Sequence, residues 1–331
     1  MNLRRVGVVL CFCFLLGVSV ALILSAGLTA KAAGDTASWG FSMKNLDTTC
    51  KPCDDFYQYA MGGWMKSNPI PPEYPSWGTF TELRDKNLTA MRTILDSSTK
   101  AHAAAGSNEQ KIGDFYATCM DTSAIDAAKL TPLKPELAKI DAVQNTNDLQ
   151  AAIANAHRLE INSGFEFGSS PDFKDSTHMI AEADQGGLGM PDRDYYLRDD
   201  EKSKKLREDY VQHVSKMFEL AGNAPDKAAS EAKTVMTLET TLAKASRTNV
   251  ELRDPEKNYN KMTLAQMKTL TPTWSWEGYL KNVGAPAVSE ANIGQPDFFK
   301  ELDRQLTATS LPDWKIYLKW HLLHAAAPVL S

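Results

Sequence analysis

The chain has 331 residues, with 36 Lys and Arg against 41 Asp and Glu, a formal net charge of −5, and 43% hydrophobic and 23% charged residues. That balance belongs to a folded globular protein and excludes wholesale disorder, a collagen-like repeat and a many-span membrane protein. A mildly acidic chain without a basic stripe argues against a nucleic-acid partner, and the length suffices for one large domain or two ordinary ones with a sizeable core.

The N-terminus reads as an export segment. Arg4 and Arg5 precede an uncharged, mostly apolar run from Val6 to Leu28, and Ala30-Lys31-Ala32 offers a small-x-small cleavage site. The run of about 23 residues is longer than the ~7–15 of a cleavable signal and long enough to span a bilayer. Residues 1–32 therefore read as a signal peptide or, uncleaved, as a signal anchor with residues 6–28 in the membrane and the N-terminus in the cytoplasm. Both readings place the remainder outside the cytoplasm: secreted, periplasmic or anchored.

Residues 33–49 are small and polar and read as a linker. The CxxC at Cys50-Lys51-Pro52-Cys53 fits a redox motif, half a zinc site or a local disulfide. No second CxxC or close Cys/His pair completes a zinc site, and the sequence that follows is helical rather than βαβ. A structural disulfide, local or to a partner outside this chain, is the better reading. Cys11 and Cys13 lie in the export segment, so Cys119 is left over.

From Asp54 the pattern is mainly α. Asp54-Asp55 marks a helix N-terminus, and Gly62-Gly63 marks its end, with Trp64 and Met65 adding at most a turn. Asn68-Pro69-Ile70-Pro71-Pro72 is a breaker. Helical spacing then predicts a long helix over 77–95 and further helices near 108–120, 132–142 and 147–158. Phe165–Phe167 and Met179–Ala183 read as a small hairpin, and Gly186–Pro191 as a loop. Leu206, Tyr210, Val214 and Met217 line one face of a helix over 201–220. After a break at Asn223–Pro225, Val235, Leu238 and Leu242 face inward from a helix running to about Ser246. Segments near 263–270, 274–282, 296–308 and 312–327 complete the helical picture, with no internal repeat.

The chemistry-bearing residues do not assemble into a site by spacing. The six histidines are His102, His157, His178, His213, His321 and His324, and none falls in the HExxH that a zincin helix requires. His321 and His324 stand at i, i+3 without a following Glu, and read as a capping or core pair. Gly186-Gly187-Leu188-Gly189 lacks the Lys-Ser/Thr of a phosphate loop and reads as a turn. There is no GxSxG elbow and no nucleophilic Cys/His pair. The acidic residues fall on helix faces and caps, where solvation explains them. Asn87-Leu88-Thr89 is a glycosylation sequon only in a eukaryotic source. No catalytic residue, metal ligand or cofactor site is expected in this chain.

Several ordered blocks nevertheless resemble the neprilysin and endothelin-converting-enzyme family of zinc metallopeptidases. They are Pro52–Ala60 with Gly62-Gly63-Trp64 and Asn68–Pro71, Trp77–Phe80 with Leu83–Asn87, Gly187–Tyr196, Arg253–Met262, Gln295–Phe299, and Trp320–His324. The resemblance implies an exported or anchored protein whose residues 50–331 form the helical, substrate-gating N-terminal lobe. The zinc site would lie in a C-terminal catalytic lobe beyond residue 331, so the chain alone should not hydrolyse peptides. Its partners would be peptide substrates, met through that lobe, and a separate C-terminal half; zinc would belong to the full-length enzyme.

The resemblance also implies that the counterparts of Cys53 and Cys119 pair beyond residue 331, and that Cys50 bonds Cys53 instead, leaving Cys119 an orphan thiol. Neprilysin-type members carry an Arg that contacts the substrate's terminal carboxylate; the matching position here is Ser76, which favours plain endopeptidase specificity. On the same reasoning the face of Trp314, Tyr317, Leu318, His321 and Leu322 should be partly exposed, awaiting the catalytic lobe. The alternative is a stand-alone exported helical module that binds peptides or proteins without catalysis.

Overall fold

The computed structural model describes residues 42–331; the export segment and residues 33–41 of the linker lie outside the described residues. The fold is mainly α and divides into two compact units, one up to Gly113 and one from Asp114 to Ser331.

In the first unit a 3-10 turn (Met43–Asn45) precedes helices α1 (Phe56–Ser67) and α2 (Thr79–Lys100), and α3 (Asn108–Met120) crosses into the second unit. Asp55 caps α1, its carboxylate accepting from the Gln58 N–H at 2.9 Å, as the acidic pair predicts. The helix does not stop at Gly62-Gly63. A Cβ on Gly63 would collide with the carbonyls of Lys44 and Leu46, so these glycines admit a crossing backbone rather than end a helix. Helix α2 likewise outruns its apolar spacing to reach Lys100. Thr89, Thr93, Ser97 and Thr99 each donate to the carbonyl four residues back at 2.7–3.0 Å. The hydroxyls are satisfied inside the helix, and the polar tail remains helical.

The second unit continues with α4 (Thr122–Ala128), α5 (Lys134–Asp141), α6 (Thr146–Arg158), the hairpin β1 (Phe165–Asp172) and β2 (Asp175–Gln185), α7 (Asp194–Leu197), α8 (Glu201–Leu220) and α9 (Pro225–Ala245). It closes with β3 (Lys261–Thr263), α10 (Leu264–Leu270), α11 (Trp276–Val283), β4 (Glu290–Ile293), α12 (Pro296–Ala308) and α13 (Leu311–Ala326). The predicted hairpin is present but is half of a four-stranded sheet of order β1-β2-β4-β3, with β2 and β4 parallel and the other pairs antiparallel. β3 and β4 have three and four residues, too few for an alternating pattern to show.

Phe165, the first residue of β1, is fully buried and centres the main core. Its ring lies 4.7–5.9 Å from those of His157, Trp274, Trp276, Tyr279 and Phe299. His157 is locked there in one tautomer: Nε2 sits 2.9 Å from the Ser163 carbonyl and must donate, so Nδ1 accepts from the Tyr279 hydroxyl at 2.6 Å. Burial lowers its pKa, which keeps the ring neutral.

Helix α13 differs from the expectation. Trp314, Tyr317, Leu318, His321 and Leu322 are all buried, against α5, α6, α8 and α9 of the same unit. Trp320 and Leu323 face a second cluster with Val214, Phe218 and Val235. A helix apolar on nearly every side is an interior helix; the unit encloses it without a further lobe.

Because Phe165 meets five aromatic neighbours, Phe165→Ala should remove about 3–5 kcal/mol of stability, with Phe165→Leu losing less. Denaturant melts followed by tryptophan fluorescence would check the order; equal midpoints for the wild type and the Ala variant would show that the cluster is not the core.

Candidate functional site

The most constrained group in the second unit is Glu239, on α9, with 0% of its surface exposed. Its Oε2 accepts from the hydroxyls of Tyr196 (2.9 Å) and Tyr210 (2.8 Å), and its Oε1 stands 3.2 Å from His321 Nε2. That last contact is off the line a hydrogen bond needs. Each phenol is itself an acceptor, Tyr196 from the Met190 N–H (2.8 Å) and Tyr210 from the Trp320 indole (3.0 Å). Burial, together with the Glu239 charge, pushes the pKa of both phenols upward. The reading of acidic residues as solvated faces is wrong for Glu239. The signal was available: a carboxylate beside Leu238 on the inward face of an amphipathic helix.

The glycine loop before Tyr196 is held as a turn, as its composition predicts. The Gly187 N–H donates to Asn162 Oδ1 (2.7 Å), and the Tyr317 hydroxyl donates to the Gly187 carbonyl (2.7 Å) while accepting from the Gly164 N–H (2.8 Å). Gly187 has φ +72°, and a Cβ there would strike the Tyr317 hydroxyl. The Gly187 and Met190 N–H groups are thus both used within the protein.

This loop forms one wall of a cleft of about 320 Å³ whose other walls include Asn162, Glu166, Asp184, Asn249 and Gln295. Three of the blocks noted in the sequence meet here. Gln295 accepts from the Gln185 N–H (2.7 Å) and donates to Asp184 Oδ1 and Asn258 Oδ1 (both 3.1 Å). Asn258 in turn donates to the carbonyls of Glu251 (3.0 Å) and Asp254 (2.6 Å), and accepts from Arg247 (2.9 Å). Glu166 and Asp184 stand directly opposite each other on β1 and β2. Burial raises both carboxyls, and the Asp184 charge raises Glu166 further. Such a pair can retain a proton. The lining hydroxyl of Ser246 is engaged with the Leu242 carbonyl at 2.9 Å.

The remaining sequence candidates are dispersed. Cys50 is half-buried, its thiol donating toward the Asp55 carbonyl at 3.5 Å, while Cys53 and Cys119 are exposed; all three are free thiols. Ser76 is exposed in the irregular segment before α2, near Tyr74, whose hydroxyl donates to Asp85 at 2.8 Å. His321 turns to Glu239, whereas His324 is exposed and stacks on Trp320 with ring centroids 5.0 Å apart. Among the described residues no three His, Cys, Asp or Glu side chains gather to hold a metal.

The polar network thus joins blocks far apart in sequence into one helical lobe, the N-terminal lobe of a zinc metallopeptidase. Residues 52–331 match the N-terminal profile of Peptidase family M13, and the chain belongs to that family. It is 30% identical to endothelin-converting enzyme 1 of Bos taurus over 308 residues, 87% of this chain and 39% of that protein. With neprilysin-3 of Drosophila melanogaster it shares 28% over 311 residues, again 87% and 39%. The inhibitor complex of the zinc metalloprotease ZMP1 of Mycobacterium tuberculosis superposes with a TM-score of 0.80 at 31% identity, over 88% of this chain and 44% of that one. PEPO from Lactobacillus rhamnosis, at 17% identity and a TM-score of 0.68 over 85% of this chain and 44% of that one, shares the fold. The chain spans 39% of the length of the two curated relatives.

Removing the buried carboxylate while leaving its donors should be costly: Glu239→Ala is expected to lose about 3–5 kcal/mol, and Glu239→Gln, which keeps an acceptor, distinctly less. Urea midpoints of the two variants would check this, and an Ala variant as stable as wild type would show the network to be slack.

Glu166 and Asp184 give a pH dependence of known sign. Their folded pKa values lie above the unfolded ones, so their favourable contribution is full below the usual carboxylate range and is lost as pH rises through the raised values. Glu166→Gln should therefore raise the melting temperature at neutral pH and do little near pH 4, about the unfolded Glu pKa. Thermal melts at the two pH values would test it; a variant less stable at neutral pH would reverse the sign.

Proposed function

We propose that this chain is the substrate-gating N-terminal part of an extracytoplasmic zinc metalloendopeptidase, whose catalytic part corresponds to the remaining length of its relatives. The observation that carries this is helix α2. Over 22 residues it has no buried side chain, and Phe80 (88% exposed), Leu83, Leu88, Met91 and Ile94 are all exposed along it. These positions recur at helical spacing, which is the pattern of a face made to pack, and an apolar stripe of that length marks a surface that another protein part covers.

In this reading the catalytic part would hold the zinc, whose chemistry would be Lewis-acid activation of water for peptide hydrolysis. The chain's own residues restrict access and shape the cavity wall. Ser76 offers no cation to a substrate carboxylate, which supports endopeptidase specificity. The export segment supports an oxidising compartment, where Cys50 and Cys53 would form a local disulfide that closes a very short loop and adds little stability.

The test is complementation. The chain alone, supplied with zinc, should retain no stoichiometric metal and leave a quenched fluorogenic peptide intact. Mixed with a separately expressed C-terminal half of a family member, it should form a complex and cleave the peptide. Phe80→Glu combined with Met91→Glu should abolish that complex without lowering the melting temperature of the chain. Cleavage by the chain alone, or a complex indifferent to the double substitution, would overturn the proposal.

A further inference from the structure

Elsewhere in the second unit, the hairpin leaves a strand edge open. The Gly294 N–H donates to the Ala183 carbonyl at 3.0 Å, so odd-numbered residues of β2 turn their backbone groups toward β4. The β2–β4 register begins only at Ala181 opposite Ala291. By the same alternation, Met179 aims its N–H and C=O groups at the β4 side, before β4 has begun; beyond it the hairpin register shifts, between Pro171 and Asp172 on β1. Pro171 lies opposite Met179 on β1; having no N–H, it agrees with a pair that exchanges no hydrogen bonds across the hairpin. The Thr177 N–H is taken by Asp175 Oδ1 at 3.2 Å, and the open edge is offered by the N–H and C=O of Met179.

What they face is a groove of about 670 Å³, closed on the far side by the turn from Gly284 to Glu290. Its wall alternates in character. Met179, Pro286 and Val288 are apolar, whereas Asp172, Asp175 and Glu290 set three carboxylates against the single ammonium of Lys261. Lys261 is already shared between Asp172 (3.2 Å) and Glu290 (2.6 Å), and Asp175 meets His178 Nδ1 at 2.8 Å. The groove therefore carries surplus negative charge beside an unpaired strand edge.

We propose that this edge binds an extended peptide by strand addition, with an apolar side chain against Met179 and Val288 and a Lys or Arg of the same peptide beside Asp175 and Glu290. The pair of backbone bonds to Met179 fixes the register, and the carboxylates select basic sequences. The inference does not depend on the catalytic reading above, because every group it uses belongs to this chain.

The probe is a fluorescein-labelled octapeptide of alternating Val and Lys, followed by anisotropy against the full chain. Binding should weaken about fivefold or more when alternate residues are N-methylated on one edge, since the lost backbone bond contributes on the order of 1 kcal/mol. A Val/Glu octapeptide should not bind. Met179→Pro removes an N–H that the β1–β2 ladder does not use, and should weaken the Val/Lys peptide comparably while circular dichroism and melting temperature stay near wild type. If that variant misfolds, the N-methylated peptide on the wild-type chain decides alone. Equal binding of the plain and N-methylated peptides, or of the basic and acidic ones, overturns the proposal, as does no binding of the Val/Lys peptide.

Discussion

A carboxylate with no access to water governs the second unit. Desolvating a charge of this kind costs several kcal/mol even after relaxation, so Glu239 is tolerable only where donors are already in place. They come from two directions, Tyr196 on α7 and Tyr210 on α8, while the His321 ring of α13 sits beside the carboxylate without a hydrogen bond. An apolar residue at this position would let those elements slide over one another. A buried acceptor shared by two phenols fixes their register to α9, and through the Met190 N–H it fixes the glycine loop as well. The cleft walled by that loop inherits its shape from the same point.

The two units solve the problem of apolar surface in opposite ways. The second turns its aromatic residues inward, with Phe165, Trp276, Trp314 and Trp320 each essentially removed from solvent. The first satisfies its polar groups locally, through the Asp55 cap and the hydroxyl ladder of α2, and leaves large side chains such as Phe56 and Phe80 outside. Local hydrogen bonding is enough to define helices, whereas burying their apolar faces requires a partner of matching shape. That contrast is the physical content of the functional reading.

Helix positions were legible because their signals are local. The bounds of α8 and α12, and the cap at Asp55, follow from spacing and side-chain chemistry within one or two turns. Signals that depend on a distant neighbour were not legible. Gly62-Gly63 looks like a terminator until the backbone of Lys44–Leu46 is seen crossing it. β4 becomes a strand only because β2 and β3 flank it. The face of α13 looked unpartnered because its partners α5, α6, α8 and α9 lie up to some 190 residues back in sequence, a separation no periodicity can report. The resemblance blocks revealed membership of a family, but not that Gln295 and Asn258 serve as joints of a hydrogen-bonded frame.

The phenols around Glu239 also give the molecule an optical character. A tyrosine absorbs differently once its proton is lost, and exposed tyrosines lose it near their ordinary value of about 10. Tyr196, Tyr210 and Tyr317 are held well above that by burial, reinforced by the nearby Glu239 charge. In an alkaline titration the near-ultraviolet spectrum should rise in two stages, a reversible one from surface tyrosines and a later one, shared with Tyr279 of the Phe165 core, that appears only when the buried phenols are released from their packing. The second stage makes the buried carboxylate its own reporter, reading the integrity of the lobe without a label.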